Sequence, residues 1–131
     1  MSAVDKPLRS ELARARGLGS AKEGVQHWWA QRLTALVLVP LGLWFVAGLI
    51  AHLGLDQAAA AAWLRRTVVL GLTALLIVAL FRHAQLGLQV VIEDYVGHEA
   101  TKLATVILVN AAAVALATAA LVALLTIAIG G

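Results

Sequence analysis

Residues 82–95 read RHAQLGLQVVIEDY, and the reading of this stretch decides the fold. It opens with a cation and a histidine behind an apolar run and closes with an acid and a tyrosine. As a helix, the eleven residues from His83 to Asp94 make about three turns. His83, Gly87, Val90 and Asp94 then share one face, while Arg82, Gln85, Gln89 and Glu93 line a second. A helix facing only lipid would carry neither stripe. One helix therefore brings a buried imidazole and a surface-level acid–tyrosine pair to the same partner.

The run before this stretch fixes its depth. Residues 67–81 are uncharged but number only fifteen, about 22 Å of helix. That falls short of a hydrocarbon core of roughly 30 Å. The helix must continue past Arg82 and His83 toward Ile92. Asp94 then lies near the far interface, with His83 about 16 Å deeper at the helical rise per residue. Histidine comes to mid-membrane by arithmetic alone.

Working outward, residues 27–53 read as a first span. His27, Trp28 and Trp29 sit at its start, where indoles favour the headgroup level, and Arg32 follows one turn deeper. Residues 33–51 carry no charge and are long enough to cross. Pro40 would kink the span, which membrane helices tolerate. Residues 54–64, GLDQAAAAAWL, form a polar-to-alanine connection with Trp63 as the opposite interfacial anchor. On the other side, residues 96–101 form a turn and residues 102–129 a third span, alanine-rich and suited to close packing, with Asn110 its one strongly polar interior residue. The expected fold class is all-α: a transmembrane three-helix bundle with spans at about 27–53, 66–95 and 102–129, behind a polar amino-terminal arm over residues 1–26.

Composition agrees. The 131 residues are 62% hydrophobic with a mean hydropathy of +0.91, too apolar for an ordinary soluble domain. The absence of cysteine excludes disulfides, thiolate ligands and iron–sulfur ligation by this chain. The net charge of +3 comes mostly from the first 32 residues, which favours the anionic headgroups of membrane lipids over nucleic acid. By the positive-inside rule that basic arm stays cytoplasmic. The turn holding Glu99 and Lys102 is then also inside and Arg65–Arg66 outside. On that topology Arg32, Asp94 and Tyr95 gather at the cytoplasmic interface.

Each candidate carries two readings. A neutral imidazole such as His83 is a common axial ligand of haem iron, and equally a histidine can simply hydrogen-bond across helices. His52 lies near the outer end of span one, so a second histidine ligand would come from another polypeptide. Gly87 opens space for a flat ligand or for ordinary helix packing. Arg82 meets a propionate or a partner carboxylate, or it snorkels or pairs within the bundle. Tyr95 can donate to a quinone carbonyl with Asp94 orienting it or relaying protons and Arg32 steadying negative charge. The plainer alternative is an interfacial tyrosine beside a solvated acid. His27 faces a cofactor edge or marks the interface with its tryptophans. Glu93, His98, Glu99 and Lys102 read as a solvated turn.

With those residues in view, HAQLGLQVVIEDYVGHEATK resembles the second helix and following turn of the small hydrophobic membrane anchors of succinate dehydrogenase. The histidine followed eleven residues later by Asp-Tyr is that family's pattern. Upstream, LGSAKEGVQHWWAQRLTALVLVPL is similar to the start of its first helix, and the likeness covers residues 17–103. The resemblance implies a bacterial inner-membrane protein with a cytoplasmic amino end. It would pair with a sister membrane anchor and dock the iron–sulfur subunit that takes electrons from the flavoprotein subunit. The resemblance implies one haem b between the two anchors, with His83 at the axial-ligand position. It also implies ubiquinone reduction near the cytoplasmic interface, with Tyr95 and Asp94 at the quinone-bonding positions and Arg32 nearby. On this reading the chain contributes to a succinate:quinone oxidoreductase of electron transport and the tricarboxylic acid cycle without itself oxidising succinate. The competing readings are a cofactor-free anchor or assembly subunit, and a small transporter component, which would show inverted repeats or broken helices that this sequence lacks.

Overall fold

A computed structural model describes residues 22–52, 54 and 56–130. Its elements are α1 (Lys22–His52), α2 (Gln57–Arg65), α3 (Thr67–Tyr95) and α4 (Glu99–Ile129). Three of them, α1, α3 and α4, are long and apolar enough to cross a membrane, as the sequence requires. The expected arm lies outside the described residues as far as residue 21, and α1 begins within the range read as arm. Nothing in KEGVQHWWAQR except Gly24 opposes a helix growing back from the apolar run, and extending a helix is far easier than starting one. The helix also runs unbroken through Pro40.

The stretch read as a connection contains a helix of its own. Asp56 precedes α2 and its Oδ1 accepts from the Ala59 amide at 2.8 Å. This is an aspartate N-cap, followed by alanines, the strongest helix formers. Only Arg66 separates α2 from α3. As the depth argument demanded, α3 continues past Arg82 and His83 to Tyr95, over 29 residues.

The long helices form a row. α3 packs against both α1 and α4, whose Cα atoms nowhere come within 8 Å of each other among the described residues, while α2 approaches all three. The buried residues of α3 are Val69, Thr73, Leu76, Ala79, Leu86 and Ile92, and Leu86, at 1% exposure, is the most enclosed. Much of the outer surface is bare leucine, isoleucine and valine, including Leu36, Leu43, Ile50 and Leu108. That surface suits lipid or another membrane chain and would be a liability in water.

The α2 end is closed by Trp63, which is buried rather than anchored at the headgroups as expected. Its ring lies 5.9 Å from those of Trp44 and Phe45 and stacks on His52 at 4.8 Å. Gly48 makes this possible, because a Cβ there would run into the indole. Arg65 Nε donates to the Ile127 carbonyl at 2.8 Å, satisfying one of the carbonyls left open at the end of α4 where the helix dipole favours a cation.

Candidate functional site

The seam between α1 and α3 sets the geometry. Thr34 Oγ1 lies 3.0 Å from His83 Nδ1, and a Cβ on Gly87 would stand 3.5 Å from Gln31 Nε2. The two helices are therefore antiparallel, with Thr34 level with His83 and Gln31 level with Gly87. His83 is half-buried in this seam. Nδ1 is engaged by Thr34, and Nε2 makes no hydrogen bond among the described residues. Gly87 faces α1 at the level of Gln31, where a methyl group would make only ordinary contact, so packing between the two helices does not by itself require a glycine.

On α1, His27, Gln31 and Thr34 recur at helical spacing and continue this seam toward the Tyr95 end. His27 Nε2 and Gln31 Oε1 are buried there without a hydrogen-bond partner. Buried polar atoms are ordinarily satisfied, and the demand is stricter where no bulk water reaches. Sequence reasoning noted His27 and passed over Gln31 and Thr34. The signal was present as polar residues at 27, 31 and 34, on one face of a span otherwise uncharged beyond Arg32.

The second stripe of α3 turns the other way. Arg82 Nη1 donates to Gln85 Oε1 at 3.2 Å, Gln85 Nε2 donates to Asn110 Oδ1 of α4 at 2.8 Å, and Gln89 Nε2 donates to Glu93 Oε1 at 2.8 Å. The two stripes thus have different neighbours: His83 bonds to α1, while Gln85 bonds to α4 and the other polar residues of its stripe bond within α3.

Asp94 and Tyr95 end α3. Both are exposed, Tyr95 to 84%, and neither side chain is hydrogen-bonded among the described residues. Arg32 does not join them. It lies over the Trp28 ring, 5.4 Å from its centroid, in a cation–π contact. Being two residues from Thr34, it is level with Gln85 and Leu86, about 13 Å short of Asp94 along the helix axis. The expected gathering at one interface is not what the register gives. α1 is helical back to Lys22, so its first residues, not Arg32, stand level with Asp94. Its guanidinium leans toward Trp28, in the direction of the Tyr95 end, as a snorkelling cation does.

The remaining titratable groups take the plain readings. Lys102 Nζ pairs with Glu99 Oε1 at 3.3 Å across one turn, in an exposed segment with His98. His52 Nδ1 is held by its own Gly48 carbonyl at 2.7 Å. It sits eighteen residues from Thr34 along α1, about 27 Å, too far to oppose His83.

Haem asks of one chain a neutral imidazole nitrogen, and the residues present fit that request. His83 is held through Nδ1 by Thr34, and its other nitrogen makes no hydrogen bond among the described residues. Among the described residues no group of three histidine or carboxylate side chains could hold a free metal ion.

A family model described as succinate dehydrogenase/fumarate reductase transmembrane subunit matches residues 6–127. A succinate dehydrogenase hydrophobic membrane anchor subunit from Rickettsia bellii is 34% identical over 107 residues, covering 82% of this chain and 86% of the relative. The protein of the same description from Paracoccus denitrificans is 36% identical over 81 residues, covering 62% of this chain and 63% of the relative. A succinate dehydrogenase membrane anchor subunit from Reclinomonas americana is 29% identical over 97 residues, covering 71% and 80%. No solved structure matches. A multi-pass chain with three apolar spans, matched by the family model over nearly its whole length, belongs to the succinate dehydrogenase/fumarate reductase transmembrane subunit family, as a hydrophobic membrane anchor subunit of succinate dehydrogenase.

Proposed function

We propose that this anchor subunit holds haem b jointly with a second anchor chain and forms part of a ubiquinone reduction site at the cytoplasmic face of a bacterial inner membrane. The observation that carries the proposal is His83. It stands deep in α3, hydrogen-bonded to α1 through one ring nitrogen and about three turns from the Asp94–Tyr95 pair. Haem, if held by His83, would supply a one-electron store. The chain's own part is to hold His83 in one orientation, to keep water from the seam with the aliphatic surface of α1 and α3, and to present Tyr95 where the helix leaves the membrane.

Ubiquinone becomes ubiquinol by taking two electrons and two protons. Tyr95 donates a hydrogen bond to a quinone carbonyl, and Asp94 delivers protons from the water boundary or orients the phenol. Arg32, set between the levels of His83 and Asp94, offers electrostatic support to negative charge in that interval. The exposure of Tyr95 means that other chains must complete the pocket, which suits a second anchor and the iron–sulfur subunit, with the flavoprotein behind them.

Tyr95→Phe tests the quinone assignment. The expected result is a fall in succinate:ubiquinone activity of about 10²–10³-fold, the range for loss of one positioned hydrogen-bond donor to developing negative charge, while succinate oxidation with an artificial acceptor persists. Equal loss of both activities would mean failed assembly instead. A cofactor-free anchor is the second reading, favoured by the fact that Thr34 already gives His83 an interhelical partner. Purification of the tagged chain in mild detergent separates the two, since flavin and iron without a reducible b-type absorbance would leave only the anchor role.

A further inference from the structure

We propose that Thr34 is the positioning residue of His83: its hydroxyl decides which ring nitrogen carries the proton and leaves Nε2 as the atom that meets iron. The proposal rests on the haem reading above and adds the device that makes His83 a competent ligand.

A threonine hydroxyl has one proton to give. Thr34 Oγ1 lies 2.7 Å from the Ala30 carbonyl and 3.1 Å from that of Gln31. The shorter distance is the usual one for an O–H donor on an oxygen, and the arrangement is the back-bond that a helical threonine makes to the preceding turn. Two oxygens held so close with no proton between them would repel. The hydroxyl proton therefore points to the α1 carbonyls, which accept it, and toward His83 Nδ1, at 3.0 Å, the hydroxyl can only accept. Nδ1 must then bear hydrogen. A neutral imidazole has one N–H, so Nε2 keeps its lone pair.

The opposite assignment would put the proton on Nε2 and leave no lone pair for iron. Thr34 thus performs for His83 what outer partners do for metal-bound histidines generally, fixing the tautomer and the ring plane. A hydroxyl does this without adding charge at a depth where a carboxylate would be costly. The same contact makes Nε2 a somewhat stronger donor, which favours ferric over ferrous haem.

The test uses the whole complex, purified in mild detergent, with Thr34→Val, Thr34→Ser and His83→Ala. The readouts are haem per flavin, the haem midpoint potential and the g-values of the oxidised low-spin haem. Thr34→Val keeps shape and removes the hydroxyl. It is expected to weaken haem retention about 10–100-fold, as loss of an outer partner does, and to shift the remaining potential upward with altered g-values. Thr34→Ser should restore all three. Should the valine variant fail to assemble, leaving no flavin with the tagged chain, Thr34→Ala is read in the same way. Wild-type haem content, potential and g-values in the hydroxyl-free variant, with the spectrum still lost in His83→Ala, overturn the role of Thr34 alone. An unaltered spectrum in His83→Ala overturns the haem reading and this inference together.

Discussion

Gln85 and Asn110 show at the scale of single residues what a polar side chain does within an apolar span. Each amide would be unsatisfied in lipid, and each is answered by the other at 2.8 Å. In bilayers such pairs contribute about 0.6–2 kcal/mol. Replacing Asn110 with leucine strands the Gln85 amide, and replacing Gln85 strands Asn110 and removes the acceptor of Arg82 as well; replacing both keeps only the Arg82 loss. Thermal unfolding of the detergent-solubilised complex should show the double variant more stable than the sum of the two single losses, with a coupling of about that size. Purely additive losses would mean the pair does not form. The sequence marked both residues as polar but gave no sign that they meet, because the register of α3 against α4 is set by packing. The same gap explains Arg32. Counting from the tryptophans placed it at the interface, while the contact between Thr34 and His83 sets it deeper.

Among the elements, α2 and α1 illustrate packing decided by one missing side chain. Trp63 was legible as an aromatic residue at a span boundary, and an indole there ordinarily faces the headgroups. What turns it inward is Gly48, one turn before His52 on α1, whose bare Cα admits the ring. Gly48→Ala should overpack this corner, lowering stability by about 1–3 kcal/mol and changing tryptophan emission. Combining it with Trp63→Leu, which frees the space, should recover part of the loss. A Gly48→Ala complex with unchanged melting and emission would show that Trp63 does not sit against α1. The helix α2 itself was readable in retrospect, since Asp56 before a run of alanines is a helix start. The length and extent of α3 were legible from the outset, because fifteen uncharged residues cannot cross a membrane alone.

The molecule as a whole is a row of three spans with its middle helix flanked on two sides and its polar features directed along the seams. That row was readable as three apolar runs, but their order in space was not. Nothing in the chain sequence says that α1 and α4 stay apart. Three crossings put the two ends on opposite sides of the membrane. If the basic arm is cytoplasmic, as the positive-inside rule expects, reporters fused at residue 97 and at the amino end should signal cytoplasmic exposure, and one fused after residue 131 the opposite. A cytoplasmic signal from all three would refute a three-span topology. Deep on the same middle helix stands His83, and its proposed role as iron ligand is tested most directly by reduced-minus-oxidised absorbance of the purified complex, wild type beside His83→Ala at equal flavin content. The expected result is a low-spin b-type band in the wild type that is lost or displaced in the variant; an identical band in both would contradict it.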